Sequence, residues 1–355
     1  MAKSSTKKKI ITAIVGTLTG FSGLTVASAL IAYDAIFPRF ERPDYTLVAG
    51  EYCYERIKDE LPRREFFFSA GKNDLKGYYY TANAAKGLVV VAHGFRSGSD
   101  DYLPITQYLV ENGYNVFSYD CTGTYDSEGD SMVGWCQSLV DLDNALTYLQ
   151  RTSPYREQPL FLLGHSWGGY AVSSVLALKS GIRACACIAP MYSGYTIMQE
   201  KGEQYVGKIA ITSKPVFSAY QRILFGNYVE HNGVRGINSV DIPVLIAQGV
   251  DDKTITYNGQ SITAHKKEIT NPNVSYYIGK GLQGSHDGIW HSKEALVYQS
   301  EVESELKLLE IEKGNELTAK EKADFYKTVD HKLYSAVNEE LMNEIIKTFD
   351  GTFCE

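Results

Sequence analysis

The chain lacks the cysteine patterns that bind metals or carry out redox chemistry. Its six cysteines, at 53, 121, 136, 185, 187 and 354, include no Cys-x-x-Cys pair and form no Cys/His cluster with zinc-ligand spacing. Cys185 and Cys187 lie two residues apart in an apolar run, so a strand would place both on one face. This pattern favours small buried side chains over a redox pair. We therefore expect neither a metal nor a cofactor.

An excess of positive charge is also absent. The 35 Lys and Arg residues are outnumbered by 42 Asp and Glu, which gives a net charge of −7. Because nucleic-acid binding depends on clustered Lys and Arg that meet phosphates, this balance argues against a nucleic-acid partner. No internal repeat and no low-complexity tract is present. The hydrophobic fraction of 44% and the charged fraction of 22% are those of a globular protein.

Charge is missing altogether from residues 10–33, which follow Lys3, Lys7, Lys8 and Lys9. A helix of about 20 apolar residues spans the ~30 Å core of a bilayer, and a basic cluster stays on the cytoplasmic side. We therefore predict a single-pass anchor in the cell membrane, with the rest of the chain outside the cytoplasm. The alternative is secretion after cleavage of a signal peptide, because Ala27-Ser28-Ala29 has the small-residue pattern of a cleavage site.

Beyond residue 62, short β-rich runs alternate with helix-length segments. Phe66-Phe67-Phe68 and Tyr78-Tyr79-Tyr80 flank a turn and predict an opening antiparallel pair. Continuous apolar runs, typical of strands covered on both faces, occupy residues 88–91, 115–119, 160–163, 184–189, 244–247 and 274–278. Helix-length segments occupy residues 102–112, 133–151, 168–179 and 257–269. This alternation predicts an α/β fold with a mostly parallel sheet and helices on both faces.

Two segments interrupt or extend this alternation. Residues 191–239 are too long for a simple crossover between strands, and they are rich in aromatic side chains. Residues 292–355 follow the last strand and have the pattern of acidic, amphipathic helix. The predicted organisation is a basic tail and anchor (1–37), a linker (38–62), a core (63–190 and 240–291), an inserted cap (191–239) and a helical extension (292–355).

The strongest chemical signal is Gly164-His165-Ser166-Trp167-Gly168, a G-x-S-x-G match between a predicted strand and a predicted helix. A serine on such a sharp turn points its hydroxyl away from the sheet edge, and the flanking glycines allow close packing. The helix N-terminus places unpaired N–H groups near developing negative charge. Ser166 is therefore the candidate nucleophile.

A serine hydroxyl needs a base, and that base needs an orienting acid. In a parallel sheet with the serine on such a strand-to-helix turn, the acid and the base both lie on loops after later strands, in the chain order Ser, Asp, His. Of the seven histidines, His286 follows the last predicted strand directly, and His291 is the alternative. Asp252 lies in the turn after Gly249 and is the preferred acid, with the adjacent Asp251 as the alternative.

The order and spacing of these motifs resemble the α/β-hydrolase superfamily. The motifs are His93-Gly94-Phe95, Asp120-Cys121-Thr122-Gly123, residues 164–169, residues 249–255 and His286. The chain looks most like the branch that contains monoacylglycerol lipase-like enzymes and the S33-type serine aminopeptidases. The resemblance implies an oxyanion hole formed by the backbone N–H groups of Phe95 and Trp167, with His93 in a structural role.

That resemblance also implies hydrolysis of an ester, thioester or amide through an acyl-Ser166 intermediate, with a carboxylic or lipid ester as the first expectation. A serine aminopeptidase-like peptidase is one alternative, and an inactive membrane-tethered binding protein is another. Members of the branch often carry D-x-R-G-H-G-x-S, where this chain has Asp120-Cys121-Thr122-Gly123-Thr124-Tyr125-Asp126-Ser127. The Arg and His of that motif are absent, which leaves the substrate class open.

Overall fold

The computed structural model describes residues 30–31, 33–48, 53–197 and 209–353, with the backbone alone described for residues 209–214. Within these described residues, eight strands form one sheet in the order β1-β2-β4-β3-β5-β6-β7-β8. The strands are β1 (Arg63–Ala70), β2 (Asn73–Tyr80), β3 (Gly87–Ala92), β4 (Tyr114–Tyr119), β5 (Leu160–His165), β6 (Ile182–Ile188), β7 (Val244–Gly249) and β8 (Val274–Gly279). β1 and β2 pair antiparallel, β2 joins β4 antiparallel, and all remaining neighbours are parallel. The predicted mostly parallel sheet is confirmed.

Helices cover both faces of this sheet, as predicted. They are α1 (Tyr54–Ile57), α2 (Leu103–Glu111), α3 (Gln137–Arg151), α4 (Trp167–Ser174), α5 (Ile209–Phe225), α6 (Gly233–Ile237), α7 (Lys293–Lys313), α8 (Ala319–Tyr326), α9 (His331–Tyr334) and α10 (Glu339–Asp350). The helix predicted over residues 257–269 is wrong: its second half is the 3₁₀ segment Ile262–Glu268, preceded by turns. Asn258-Gly259 favours a turn, and the Ser261 hydroxyl accepts the Ala264 N–H as an N-cap.

Alternate residues of the central strands supply two separate hydrophobic clusters. Leu88, Val90, Leu162, Cys185 and Cys187 pack with α3 and α4 on one face. The intervening residues of the same strands pack with α2 and α10 on the other face. The Cys185 and Cys187 Sγ atoms lie 3.6 Å apart and buried, which agrees with their predicted place on one face. Burial on both faces explains why these strands are continuous apolar runs.

The last helix of the C-terminal extension, α10, is part of the core of the domain. α10 lies against the sheet face, where the Phe349 ring is 5.0 Å from the Phe161 ring between centroids. Tyr114 contacts the same Phe349 ring. Its hydroxyl also donates a 2.6 Å hydrogen bond to the Asp350 carboxylate at the end of α10. The sequence left the role of this segment open. In the structure α10 covers one face of the sheet.

The predicted anchor, residues 10–33, lies mostly outside the described residues. Among the helices that the structure describes, none combines the length and the apolar composition that a membrane crossing requires. Leu30 and Tyr33, near the C-terminal bound of the predicted anchor, are buried in the main core at 3% and 0% exposure. The Tyr33 ring packs edge-on against Tyr220 of α5. Hydropathy cannot locate this bound, since burial in a core and burial in a bilayer select the same side chains.

The segment predicted as a linker is also tied to the domain. Arg39 donates to the backbone carbonyls of Ser127 and Gly129. Arg42 forms ion pairs with the buried Asp100 and with Asp126. These contacts hold the loop after β4, where the chain lacks the arginine of the D-x-R-G-H-G pattern. Two arginines from the N-terminal segment thus support the loops after β3 and β4.

Candidate active site

The turn between β5 and α4 holds Ser166 in a backbone conformation that L-residues rarely adopt, with φ 55° and ψ −111°. Two neighbouring glycines make this turn possible. A Cβ at Gly164 would overlap the Gly168 carbonyl, and a Cβ at Gly168 would overlap the Ala92 carbonyl. The residues of the G-x-S-x-G motif therefore meet the steric demands of a sharp strand-to-helix turn, and Ser166 lies at the C-terminal edge of the sheet.

Three side chains that the sequence placed on separate loops form one hydrogen-bonded line. The Ser166 Oγ lies 2.9 Å from the His286 Nε2, and the His286 Nδ1 lies 2.7 Å from the Asp252 Oδ2. Ser166 follows β5, Asp252 follows β7 and His286 follows β8, so parallel strands bring all three to the same edge. This line places a base within reach of a hydroxyl, with a carboxylate behind the base.

Each carboxylate oxygen of Asp252 has two hydrogen-bond partners. Its Oδ1 accepts the backbone N–H groups of Thr254 and Ile255, both at 2.8 Å. Its Oδ2 accepts the Gln248 amide at 2.9 Å in addition to the His286 ring. The side chain is fully buried. These bonds fix the carboxylate in position and leave one oxygen directed at the imidazole.

The two alternatives that the sequence left open lie outside this line. Asp251 is exposed, and its side chain lies near Gly284 instead of the imidazole. His291 stacks on Trp290 with ring centroids 3.8 Å apart, and its Nδ1 finds no partner among the described residues. Burial lowers the pKa of His291 to about 4. Of the two pairs, Asp252 and His286 are the members that lie in the hydrogen-bonded line with Ser166.

The loop after β3 orients the first of the two backbone N–H groups assigned to an oxyanion hole. Cys121 N–H donates to the His93 Nε2 at 2.9 Å, so the His93 Nδ1 carries the proton and donates to the Gly94 carbonyl at 2.7 Å. Burial lowers the pKa of His93 to about 4, which keeps the ring neutral for this arrangement. The C=O and N–H of a trans peptide point in opposite directions. Holding the Gly94 carbonyl therefore fixes the direction of the Phe95 N–H.

The second N–H belongs to Trp167, the first residue of α4. The first N–H groups of a helix have no partner within the helix and carry partial positive charge. Within the described part of the chain, no backbone carbonyl accepts the N–H of Phe95 or of Trp167. Both groups are thus available to an anionic oxygen beside Ser166.

A cavity of about 560 Å³ opens above Ser166 and includes His286 in its wall. One part is apolar, with Phe95, Trp135, Met191 and Ile197. The lining also includes polar residues of the C-terminal extension, namely Gln299, Tyr334 and Ser335. Sequence reasoning missed these three residues, because no motif or spacing connects a distant helical segment with the nucleophile.

Most of the aromatic residues that the insertion contributes pack the insertion onto the domain. Phe217 and Tyr220 contact Tyr33. The Tyr228 hydroxyl donates to Asp143 of α3 at 2.7 Å. From the insertion, Met191 and Ile197 are the described residues that line the cavity, and Tyr205 lies outside the described residues. The aromatic richness of the insertion thus reflects mainly its packing.

One group of three residues in the described part of the chain has the ligand atoms of a metal site within 4.8 Å of one another: His165, His286 and Asp287. Both ring nitrogens of His286 already have partners, Asp252 and Ser166. The His165 Nδ1 contacts the Tyr102 hydroxyl at 2.7 Å. The donor set therefore fits a hydrogen-bonding role better than metal ligation.

The chain is similar to several known proteins. The family model described as serine aminopeptidase, S33 matches residues 83–232. The uncharacterized protein YfhR of Salmonella typhi is 29% identical over 183 residues, which are 49% of this chain and 56% of that protein. Monoglyceride lipase of Rattus norvegicus is 34% identical over 104 residues, which are 29% of this chain and 33% of that protein. The chain thus spans about half or less of the length of these relatives.

Among solved structures, the esterase Pf2001 of Pyrococcus furiosus superposes with a TM-score of 0.52 at 17% sequence identity. The superposition covers 70% of this chain and 90% of the esterase. At that identity the likeness concerns the fold, and it extends over nearly all of the esterase.

Proposed function

We propose that this chain, which has the α/β-hydrolase fold, is a serine hydrolase that cleaves carboxylic esters through an acyl-Ser166 intermediate. The observation that carries this proposal is the continuous line from Ser166 Oγ through His286 to Asp252, with contacts of 2.9 and 2.7 Å. The backbone N–H groups of Phe95 and Trp167 lie beside the same serine on the loops described above. Ser166, His286 and Phe95 thus line one cavity, with Asp252 behind His286 and Trp167 directly after Ser166 in the sequence.

In the first half of the reaction, the Ser166 Oγ attacks the carbonyl carbon of the substrate while the His286 Nε2 takes the hydroxyl proton. The carbonyl oxygen becomes an anion, which accepts hydrogen bonds from the N–H groups of Phe95 and Trp167. Asp252 stabilises the imidazolium without taking its proton. The proton then passes from His286 to the leaving oxygen, the alcohol departs, and the acyl group remains on Ser166.

In the second half, water takes the place of the alcohol. The His286 Nε2 accepts a proton from this water as its oxygen attacks the acyl carbon. The same two N–H groups stabilise the second oxyanion. His286 returns the proton to the Ser166 Oγ as the carboxylic acid leaves, so the enzyme is restored. The residues supply all the proton transfers.

An ester with an apolar acyl part fits the cavity better than other acyl substrates. Phe95, Trp135, Met191 and Ile197 form an apolar wall next to Ser166, where an acyl chain gains free energy by leaving water. The rat relative is a monoglyceride lipase, which agrees with this choice. The peptidase alternative rests on Asp287, whose side chain lies at the cavity rim, is 72% exposed, and offers a carboxylate to a free amino group.

Matched substrates test this choice. We expect p-nitrophenyl butyrate to be hydrolysed with a kcat/KM at least tenfold above that for alanine p-nitroanilide, a difference of about 1.4 kcal/mol or more in transition-state free energy. The control is Asp287→Asn, which should leave ester hydrolysis within about threefold of the unchanged chain. Preferred cleavage of the aminoacyl anilide, lost in Asp287→Asn, would establish the peptidase instead.

We also propose that residues 10–29 anchor the chain in the membrane, with the catalytic domain outside the cytoplasm. Support comes from the 20 uncharged residues behind a lysine cluster. The full-length chain should stay in the membrane pellet after alkaline carbonate washing, and mass spectrometry should find its N-terminus intact. Release into the wash, with a new N-terminus after Ala29, would establish a cleaved signal peptide.

A further inference from the structure

A buried hydrogen-bond chain connects the two loops that carry opposite parts of the proposed machinery. The Tyr102 hydroxyl lies 2.9 Å from the Gly94 nitrogen and 2.7 Å from the His165 Nδ1. The His165 Nε2 lies 3.3 Å from the backbone carbonyl oxygen of His286. Tyr102 and His165 are both almost fully buried. These hydrogen bonds thus connect the loop that holds Phe95, through His165, to the loop that holds His286.

The donor and the acceptor of each hydrogen bond that links Gly94, Tyr102, His165 and His286 can be assigned. The His286 carbonyl can only accept, so the His165 Nε2 carries a proton and donates. Burial lowers the pKa of His165 to about 4, so the ring is neutral and its Nδ1 is an acceptor. The Tyr102 hydroxyl therefore donates its proton to this Nδ1, and its oxygen accepts the Gly94 N–H. Burial raises the pKa of Tyr102, which keeps the phenol protonated for this task.

Each end of this hydrogen-bond network holds a backbone group that lies next to a reacting atom. At one end, Tyr102 fixes the Gly94 N–H, while His93 fixes the Gly94 carbonyl from the other side. Together they determine how the Phe95 N–H faces Ser166. At the other end, His165 holds the carbonyl of His286 itself, whose ring must reach the Ser166 Oγ. His165 also lies 3.7 Å from the Asp287 carboxylate, which favours a proton on the same Nε2.

We propose that Tyr102 is a positioning residue that, through His165, sets the distance between the oxyanion-hole loop and the His286 loop. This inference rests on the proposed function, because it concerns the same site. Tyr102 does not touch the reacting atoms and acts through Gly94 and His165. Without its hydroxyl, the Gly94 N–H and the His165 Nδ1 lose their partner. His165 keeps its Nε2 proton for the His286 carbonyl, but its Nδ1 no longer has the donor that ties the ring to the oxyanion-hole loop.

The variant Tyr102→Phe tests this role, because it removes the hydroxyl and keeps the ring that packs near Trp290. A misplacement of about 1 Å in a reacting group costs up to about 10²-fold in rate. We therefore expect kcat on p-nitrophenyl butyrate to fall about 10- to 100-fold, while KM stays within about threefold. The rate of phosphonylation by a fluorophosphonate should fall in parallel, because that reaction needs the same base and oxyanion donors.

Tyr114→Phe is the matched control. Tyr114 is also a fully buried tyrosine with a hydrogen-bonded hydroxyl, but it begins β4 at the opposite edge of the sheet and bonds Asp350. A general loss of stability would affect both variants, whereas the positioning role predicts a fall in kcat for Tyr102→Phe alone. A double-mutant cycle with His165→Gln completes the design. If the two residues act through one hydrogen-bond network, adding Tyr102→Phe to His165→Gln should lower kcat by less than about threefold.

A ring-nitrogen NMR spectrum gives a measurement that does not depend on turnover. In the unchanged chain, His165 should have its proton on Nε2 and a hydrogen-bonded Nδ1. In Tyr102→Phe the proton should stay on Nε2, and the Nδ1 signal should move to that of an acceptor nitrogen without a hydrogen bond. An unchanged kcat in Tyr102→Phe, or an equal fall in Tyr114→Phe, would overturn the positioning role while the proposed function stands. If the unchanged chain neither turns over esters nor reacts with a fluorophosphonate, the proposed function fails first, and this inference fails with it.

Discussion

Ser166→Ala is expected to lower kcat by about 10⁶-fold, the loss typical of removing the nucleophile of such a site. The Ser166 Oγ is the atom that bonds the acyl group, and alanine offers no atom in its place. The fold should remain, because alanine keeps the Cβ and the backbone of the turn, with φ 55°, is unchanged by the loss of the hydroxyl. Burst and steady-state kinetics on p-nitrophenyl butyrate, together with a thermal unfolding curve, measure both parts of this prediction.

Ser173→Ala serves as its control. Ser173 is a buried serine on the same helix, and its hydroxyl bonds the Gly169 carbonyl at 2.8 Å, away from His286. Its loss should leave kcat within about threefold, because it removes one local hydrogen bond and no reacting group. Activity near that of the unchanged chain in purified Ser166→Ala would show that another residue is the nucleophile.

Asp252→Asn is expected to lower kcat by about 10⁴-fold through the tautomer of His286. The Asp252 Oδ1 accepts two backbone N–H groups, so an asparagine would keep its oxygen there and place its NH₂ at the Oδ2 position. An NH₂ group cannot accept the proton of the His286 Nδ1. The imidazole would turn to the other tautomer, with the proton on Nε2 facing Ser166, and would no longer accept the serine proton.

The adjacent carboxylate provides the comparison. Asp251→Asn changes the same charge one residue away, at an exposed position whose side chain lies near Gly284. We expect its kcat to stay within about threefold of the unchanged chain. Steady-state kinetics on both variants decide between the two carboxylates that the sequence left open. A larger loss in Asp251→Asn than in Asp252→Asn would reverse the assignment.

Much of the fold was predictable because burial on both faces of the sheet leaves a local signal. The runs at residues 88–91 and 160–163 are apolar at every position, and the structure places them in the centre of the sheet. The sharp turn at Ser166 was predictable for a steric reason, since that turn demands glycine at residues 164 and 168. The helix predicted over residues 257–269 failed because its Asn-Gly turn and Ser261 cap outweigh an apparent periodicity.

Other features depend on contacts between distant parts of the chain and leave no local pattern. The choice between Asp251 and Asp252 follows from how the turn after β7 meets the loop after β8. Tyr102 reads in the sequence as an ordinary residue at a helix start, and its bonds to Gly94 and His165 emerge only from the fold. The burial of Tyr33 belongs to the same class, because an apolar run does not reveal what will cover it.

The account stands on Ser166 as an activated nucleophile, and labelling with a fluorophosphonate tests this claim most directly. The detergent-solubilised full-length chain should take up one phosphonyl group, and mass spectrometry of its peptides should find that group on Ser166. Ser166→Ala should take up none, and His286→Ala should react far more slowly, because the base no longer accepts the serine proton. No labelling of the folded, unchanged chain, or labelling that persists in Ser166→Ala, would contradict the account.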